Sequence, residues 1–259
     1  MDLFNFDPLV ILSFVLALMR ISLVLFIMPF FGGQTIPNVA KAVLCLTLTF
    51  ALWPRLPMLG AQLPAHPLSL GIMLFQELVL GLALGLSIRF IFGAIQTGGQ
   101  LIGFQMGFAM VNAIDPESGA TEAVTAHFLY MVSLLTFLAF NGHLYLFDGL
   151  LKSFDLIPPG ALVISPRIGE QIISLSGQLF LLSIQIAAPV MAALLLVDLA
   201  LALVSRASPQ MNVLIVGFPL KIGIGFLFLS LIFNIISLYM EGFISKMPFL
   251  FTTLINAMR

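Results

Sequence analysis

Side chains able to do acid–base, metal or nucleophilic chemistry are few and scattered in this sequence. The three histidines, His66, His127 and His143, are far apart, with no His-Glu-x-x-His or Cys-x-x-Cys spacing near them. The sequence also has no Gly-x-x-x-x-Gly-Lys-Ser/Thr phosphate loop and no Gly-x-Ser-x-Gly nucleophile elbow. His143 and Asp148 could act as a base and its orienting carboxylate, but no nucleophile accompanies them. The sequence therefore predicts no enzyme, no metal site and no cofactor.

Charged residues inside apolar stretches are the second group that could do chemistry. A charge at the centre of a bilayer costs ~2.5–3.5 kcal/mol on insertion scales, so each should face protein or water. These charged residues could form a proton or ion path, or they could form buried ion pairs between helices or subunits. Because no run of carboxylates suggests a proton relay and the charges alternate in sign, we favour pairs. The residues concerned are Arg20, Glu77, Arg89, Asp198 and Lys221.

A glycine-rich segment, residues 98–115, combines glycines at every fourth position with large apolar side chains at every second. On a helix the glycines would permit close packing, whereas in an extended loop the large side chains would share one face. The segment could form a flexible apolar seal or ordinary helix packing, and composition alone favours packing. Asp115 and Pro116 fit the start of a following helix. The repeating residues are Gly99, Gly103 and Gly107, then Phe104, Met106, Phe108 and Met110.

Composition identifies the surroundings that these residues share. Of 259 residues, 61% are apolar and only 8% charged, with a net charge of −1. A soluble domain is about 45–50% apolar and ~25% charged, so this chain must face lipid or other protein. The absence of a basic cluster excludes phosphate-driven binding of nucleic acid. The sequence therefore predicts an all-α, polytopic integral membrane protein built of long apolar helical hairpins.

Proline and glycine clusters divide the chain into predicted elements. The apolar runs predict helices over 9–31 and 39–53, a long one from residue 68, and one over 122–138 that breaks at Asn141. Residues 160–170 read as a polar loop. A hairpin follows, with arms over 171–204 and 211–239, and the tail after Pro248 carries an amphipathic stripe that we expect on a surface or a partner.

Three motifs, in this order, resemble the FliR family, the R subunit of the bacterial flagellar export gate, whose relatives include the T-type subunits of injectisomes. The first is Gly-Gly-Gln-Leu-Ile-Gly-Phe-Gln-Met-Gly-Phe from Gly98, with Asp115 and Pro116 after it. The second is Phe-Asn-Gly-His-Leu from Phe140. The third is Ser-Pro-Gln from Ser208, leading to Gly-Phe-Pro-Leu from Gly217. The resemblance spans nearly the whole chain.

The resemblance implies a non-enzymatic pore subunit of the type III protein export gate, which passes unfolded flagellar proteins across the bacterial inner membrane at the flagellar basal body. It implies assembly with P-type and Q-type membrane subunits and other export proteins into one helical assembly. Residues 1–170 would resemble a P subunit and residues 171–259 a Q-like hairpin. The family's plug would map onto Gly103, Phe104, Gln105, Met106, Gly107, Phe108, Met110 and Asp115.

An alternative from another class is a small-solute secondary transporter or channel, with the broken helix at residues 98–107 as its binding site. The chain lacks two comparable halves that each carry an interrupted helix. Isolation with or without other small membrane proteins would distinguish the two hypotheses.

Overall fold

The structure, a computed structural model, describes residues 8–33, 36–55, 66–108, 124–162 and 166–258. These residues form seven α-helices and one short 3-10 turn, Trp53–Arg55, with no strand among them. The predicted all-α class is confirmed. The helices are α1 (Pro8–Ile27), α2 (Asn38–Leu52), α3 (Pro67–Met106), α4 (Val124–Ala139), α5 (Gly142–Leu156), α6 (Pro166–Ala207) and α7 (Val213–Ala257).

Four described helices, α1, α3, α6 and α7, are long and apolar enough to cross a membrane, and α4 with α5 would add a fifth if they formed one broken span. This agrees with the predicted polytopic membrane protein. Helices α3, α6 and α7 have 40, 42 and 45 residues, about twice the ~20 that a span needs. Each of these three helices is therefore long enough to extend well beyond one span.

The helix boundaries follow local signals in the sequence. Proline stands at the first position of α1, α3 and α6, where its missing N–H is not needed. The predicted break falls between α4 and α5, where Asn141 has a positive φ of 57°. The predicted loop over 160–170 is shorter than expected, because α6 already begins at Pro166. Helix α7 continues through Pro219 and Pro248 to Ala257, well beyond the predicted arm.

The described chain forms two compact units. The first unit consists of residues up to Phe90, residues Asn141–Leu175 and the end of the chain from Ile244. Its fully buried side chains come from α1, α3, α5 and the end of the chain, and include Leu16, Ile21, Leu80, Phe154, Ile255 and Met258.

The second unit consists of residues Ile91–Phe140 and Ser176–Phe243. Phe92 is its aromatic centre, because the ring packs edge-on against Phe137 with centroids 5.4 Å apart. Ile102, Leu129, Ile186 and Ile236 are fully buried in the same unit. The predicted division of the chain at residue 170 concerns likeness to other subunits, not packing, so it stays a prediction.

The C-terminal tail differs from the expectation of a stripe on a surface or partner. The predicted stripe includes Leu250, which is half-buried, and five residues that are buried within the chain itself: Phe243, Met247, Phe251, Leu254 and Met258. Phe251 packs so closely on Gly149 that a Cβ there would lie 2.1 Å from the ring. From Ile244 onward the tail therefore contributes to the core of the first unit.

Candidate functional site: the end of helix α3

Helix α3 ends inside the glycine-rich segment through a hydrogen-bonded glycine cap. The N–H of Gly107 donates to the carbonyl oxygen of Phe104 at 3.1 Å, and the N–H of Phe108 donates to that of Gly103 at 3.0 Å. This pair of bonds is the Schellman motif, whose C′ residue takes a left-handed conformation. Gly107 supplies it with φ +93°. The backbone therefore turns out of the helix at Gly107.

Gly107 also has no room for a side chain. A Cβ there would lie 2.6 Å from Cε1 of Phe218 on α7, so the ring covers the glycine. One residue earlier, Met106 is fully buried and packs on Gly225, where a Cβ would lie 2.6 Å from the Met106 methyl carbon. Two close contacts thus hold the end of α3 against α7.

A polar contact joins the same end of α3 to both arms of the hairpin formed by α6 and α7. Asp198 on α6 forms an ion pair with Lys221 on α7. The other carboxylate oxygen of Asp198, Oδ2, accepts a hydrogen bond of 3.2 Å from Nε2 of Gln105. Because a carboxylate only accepts hydrogen bonds, the amide NH₂ of Gln105 is the group that faces it. One carboxylate therefore connects three helices.

A cavity of about 280 Å³ lies between the hairpin arms and is lined by both charged residues of this pair. Phe218 and Gly217 form part of its wall. The side chains of Asp198 and Lys221 remain 38% and 21% exposed, so the ion pair is only partly buried in the described chain.

Phe104 and Met106, two of the large apolar side chains of the segment, do not share one face. Residues 98–106 are helical, so Phe104 and Met106 lie in the last turns of α3, where Phe104 is 59% exposed and Met106 is 0% exposed. The extended-loop arrangement is therefore wrong for these two residues. Gly103 is buried, and Gln105, Gly107 and Phe108 are half-buried. Met110 and Asp115 lie outside the described residues, and their place in a plug stays a prediction.

Helices α3 and α4 approach closely at Gly99, as the glycine stripe predicts for a helix contact. A Cβ at Gly99 would lie 2.6 Å from the Cα of Ala126, and Thr125 Oγ1 donates to the Gly99 carbonyl oxygen at 2.8 Å. This contact is between backbones, which cannot shift as a flexible side chain can.

We expect Gly99→Ala to destabilise the protein by about 1–3 kcal/mol, the cost of overpacking a tight contact. Gly71→Ala is the control on the same helix, because nothing lies within 4 Å of a Cβ there. The thermal midpoint of the purified protein complex measures the effect. Equal midpoints for the two variants would show that the close approach of α3 and α4 does not matter.

Arg20, in the first unit, is fully buried, and all three nitrogens of its guanidinium group donate hydrogen bonds. Its Nε and Nη2 atoms donate to the two carboxylate oxygens of Glu77 at 2.6 and 2.9 Å. Its Nη1 donates to the carbonyl oxygens of Ser153 and Ile157, both at 3.0 Å. The guanidinium carbon lies 4.2 Å from the centre of the Phe154 ring. Arg20 therefore joins α1 to α3 and caps the end of α5.

Glu77 is 1% exposed and completes this network. Its Oε1 also accepts a hydrogen bond of 2.8 Å from the N–H of Gly160, which follows α5. Arg89, in contrast, is exposed in the described chain, so its burial stays a prediction for a larger assembly. Two of the five predicted interior charges thus pair in the first unit and two in the second.

The histidines lie apart from these networks. The described residues contain no cluster of three or more His, Cys, Asp or Glu side chains that could hold a metal ion. Asp148, considered above as an orienting partner for His143, binds Nζ of Lys152 at 2.7 Å on the exposed side of α5.

Sequence reasoning missed the partners of the two networks. Ser153, Ile157 and Gly160 act through backbone groups, which carry no signal in residue type. Phe218 stood in the Gly-Phe-Pro-Leu motif, but nothing in the motif indicated that its ring would cover Gly107.

Comparison with known proteins identifies the family of this chain. Residues 11–247 match the family described as "Bacterial export proteins, family 1". The chain is 35% identical over 232 residues to the flagellar biosynthetic protein FliR of Bacillus subtilis, covering 86% of this chain and 87% of that protein.

Two further relatives are similar over the same extent. FliR of Escherichia coli is 30% identical, covering 88% of this chain and 87% of that protein. FliR of Pectobacterium carotovorum is 33% identical, covering 84% of this chain and 83% of that protein. The names of these relatives describe flagellar biosynthesis, not an enzymatic reaction. The chain, an all-α multi-pass membrane protein, therefore belongs to the FliR family of bacterial export proteins.

Proposed function

We propose that this chain is a non-enzymatic pore subunit of the flagellar type III protein export gate in the bacterial inner membrane. It passes unfolded flagellar proteins and is needed for assembly of the flagellum. The observation that carries the proposal is the end of α3 at Gly107, where a positive-φ glycine interrupts an apolar segment and Met106 and Gly107 pack against α7 of the hairpin. Family membership supplies the export context.

In this proposal the segment Gly103–Asp115 closes the resting pore. Large Phe and Met side chains exclude water and ions, and methionine adapts its shape to its neighbours. Glycine permits backbone conformations that other residues avoid, so the segment can move when a polypeptide passes. Sealing and movement are separate properties of the same segment, and they belong to different residues.

The proposed partners are P-type and Q-type membrane subunits, with other export apparatus proteins. The hairpin of α6 and α7 supports this, because its helices present many large apolar side chains away from the described chain. Fewer than a third of the residues in the apolar windows of these two helices, 28% and 22%, are buried. On α6 the exposed residues include Phe180, Leu181, Ile184, Leu195, Leu196 and Leu199. We propose that residues 171–259 resemble a Q subunit and residues 1–170 a P subunit.

Purification in mild detergent tests this function. The tagged chain, expressed with the other membrane subunits of its export system, should elute as one stable hetero-oligomer, and cells that lack the chain should build no flagellum. Expressed alone it should aggregate or be degraded, because this proposal assigns much of the exposed apolar surface of α6 and α7 to partner subunits rather than to lipid. A monodisperse chain that purifies alone and transports a small solute would overturn the proposal in favour of a transporter.

A further inference from the structure

The contact of Gln105 with the Asp198–Lys221 ion pair has a geometry suited to holding and releasing the end of α3. We propose that these three residues form a latch: Gln105 binds the ion pair when the export gate is closed and leaves it when the gate opens. The proposal rests on the proposed function, because it names the contact that keeps the seal in place.

Gln105 lies where its side chain can hold the last turn of α3. It lies one residue before the fully buried Met106 and two residues before Gly107, where the backbone leaves the helix. Its side chain forms a hydrogen bond to Asp198 on α6, and Asp198 in turn forms an ion pair with Lys221 on α7. Gln105 therefore connects the last turn of α3 to both arms of the hairpin. In this proposal, opening moves the last turn of α3 and so lengthens the 3.2 Å contact between Gln105 Nε2 and Asp198 Oδ2.

The chemistry of the three groups makes the contact both specific and reversible. A hydrogen bond to a carboxylate is stronger than one between neutral groups. The amide of Gln105 carries no charge, so its departure leaves the ion pair of Asp198 and Lys221 intact. The side chain of Asp198 is 38% exposed and lines the cavity of about 280 Å³, so water can replace the amide.

The network around Arg20 shows the opposite design. Arg20 and Glu77 are 0% and 1% exposed, and both are charged, so separating them would leave two buried charges unpaired. That network suits a permanent connection within the first unit. The hydrogen bond of Gln105 joins a neutral amide to a partly exposed carboxylate. Such a bond can break and re-form in each cycle of opening.

The test uses the purified hetero-oligomeric gate carrying Gln105→Met, which keeps the length of the side chain and removes the amide. Gln100→Met, five residues earlier on α3, is the matched control. Hydrogen–deuterium exchange of the peptide covering residues 103–108 should become faster by roughly tenfold or more in Gln105→Met and stay unchanged in Gln100→Met. The resting ion conductance of Gln105→Met should rise as well.

A second variant and a second readout decide the remaining cases. Gln105→Leu also removes the amide and leaves the ion pair of Asp198 and Lys221 in place, so it should accelerate exchange in the same way and decides the question if Gln105→Met does not assemble. Unchanged exchange in the assembled variants overturns the latch, even if the seal is real. Faster exchange without increased conductance would support the latch and contradict the proposed seal, which separates the failure of one proposal from the failure of the other.

Discussion

Replacing Arg20 by methionine should remove most of the assembled protein from the membrane. The change leaves the carboxylate of Glu77 buried without its cation, and the carbonyl oxygens of Ser153 and Ile157 lose a donor. Stranding one member of a buried ion pair costs about 3–5 kcal/mol, a large part of the stability of an ordinary domain. The amount of chain incorporated into the gate, measured in membranes after mild detergent extraction, should fall at least several-fold.

The double variant Arg20→Met/Glu77→Met should assemble better than Arg20→Met alone, because no charge is then left unpaired. It should not regain the full level, since the donor to α5 and the acceptor for the Gly160 N–H are still missing. Lys152→Met is the matched control, because its ion pair with Asp148 is half exposed, and such a pair contributes about 0.3–0.5 kcal/mol. Strictly additive losses for Arg20→Met and Glu77→Met would contradict the account of the pair.

Replacing Gly107 by leucine should lower protein export strongly and leave the resting gate ion-tight. Holding a non-glycine residue at a left-handed φ such as +93° costs about 1–3 kcal/mol. The new Cβ would also collide with the Phe218 ring, 2.6 Å away. The variant adds apolar volume to the segment and removes none, so sealing should persist while movement is restricted. Secretion of a flagellar protein, together with conductance of the assembled gate, measures both effects.

A second substitution separates the two causes. Gly107→Leu/Phe218→Ala relieves the collision but keeps the backbone strain, so it should restore export only in part. Gly223→Leu is the control on α7, because no atom lies within 4 Å of a Cβ there. Normal export by assembled Gly107→Leu would show that neither the conformation of this glycine nor its contact with Phe218 matters for function.

Composition and periodicity predicted the fold class because both report the environment of whole helices. The apolar excess predicted a membrane protein. The clusters of Pro and Gly predicted the hairpin of α6 and α7 and the break between α4 and α5. The end of α7 was harder to predict. A stripe at spacings of three and four says that one face is buried, but it does not say whether the neighbour is a partner or, as with Phe251 and Gly149, the same chain.

The sequence could predict a part of the site only where the residue type at one position, or its near neighbours, indicates the structure there. The cost of placing Arg20 in an apolar helix predicted that a partner exists, but Glu77 lies 57 positions away and is brought there by packing. Gln105 and Asp198 are 93 positions apart, and a single glutamine in an apolar segment carries no signal for its partner. Glycine at position 107 fits both a helix contact and a helix end, so residue type alone could not decide between them.

The resting conductance of the assembled gate tests the central claim most directly. Phe104, Met106 and Phe108 are replaced together by alanine, and Phe180→Ala/Leu181→Ala on the exposed surface of α6 is the control for lost apolar volume. With assembly at normal levels, the triple variant should leak ions or small solutes at rest and still export protein, whereas the control should stay tight. A triple variant that assembles normally and remains ion-tight would contradict the seal and would show that this segment serves only to pack helices together.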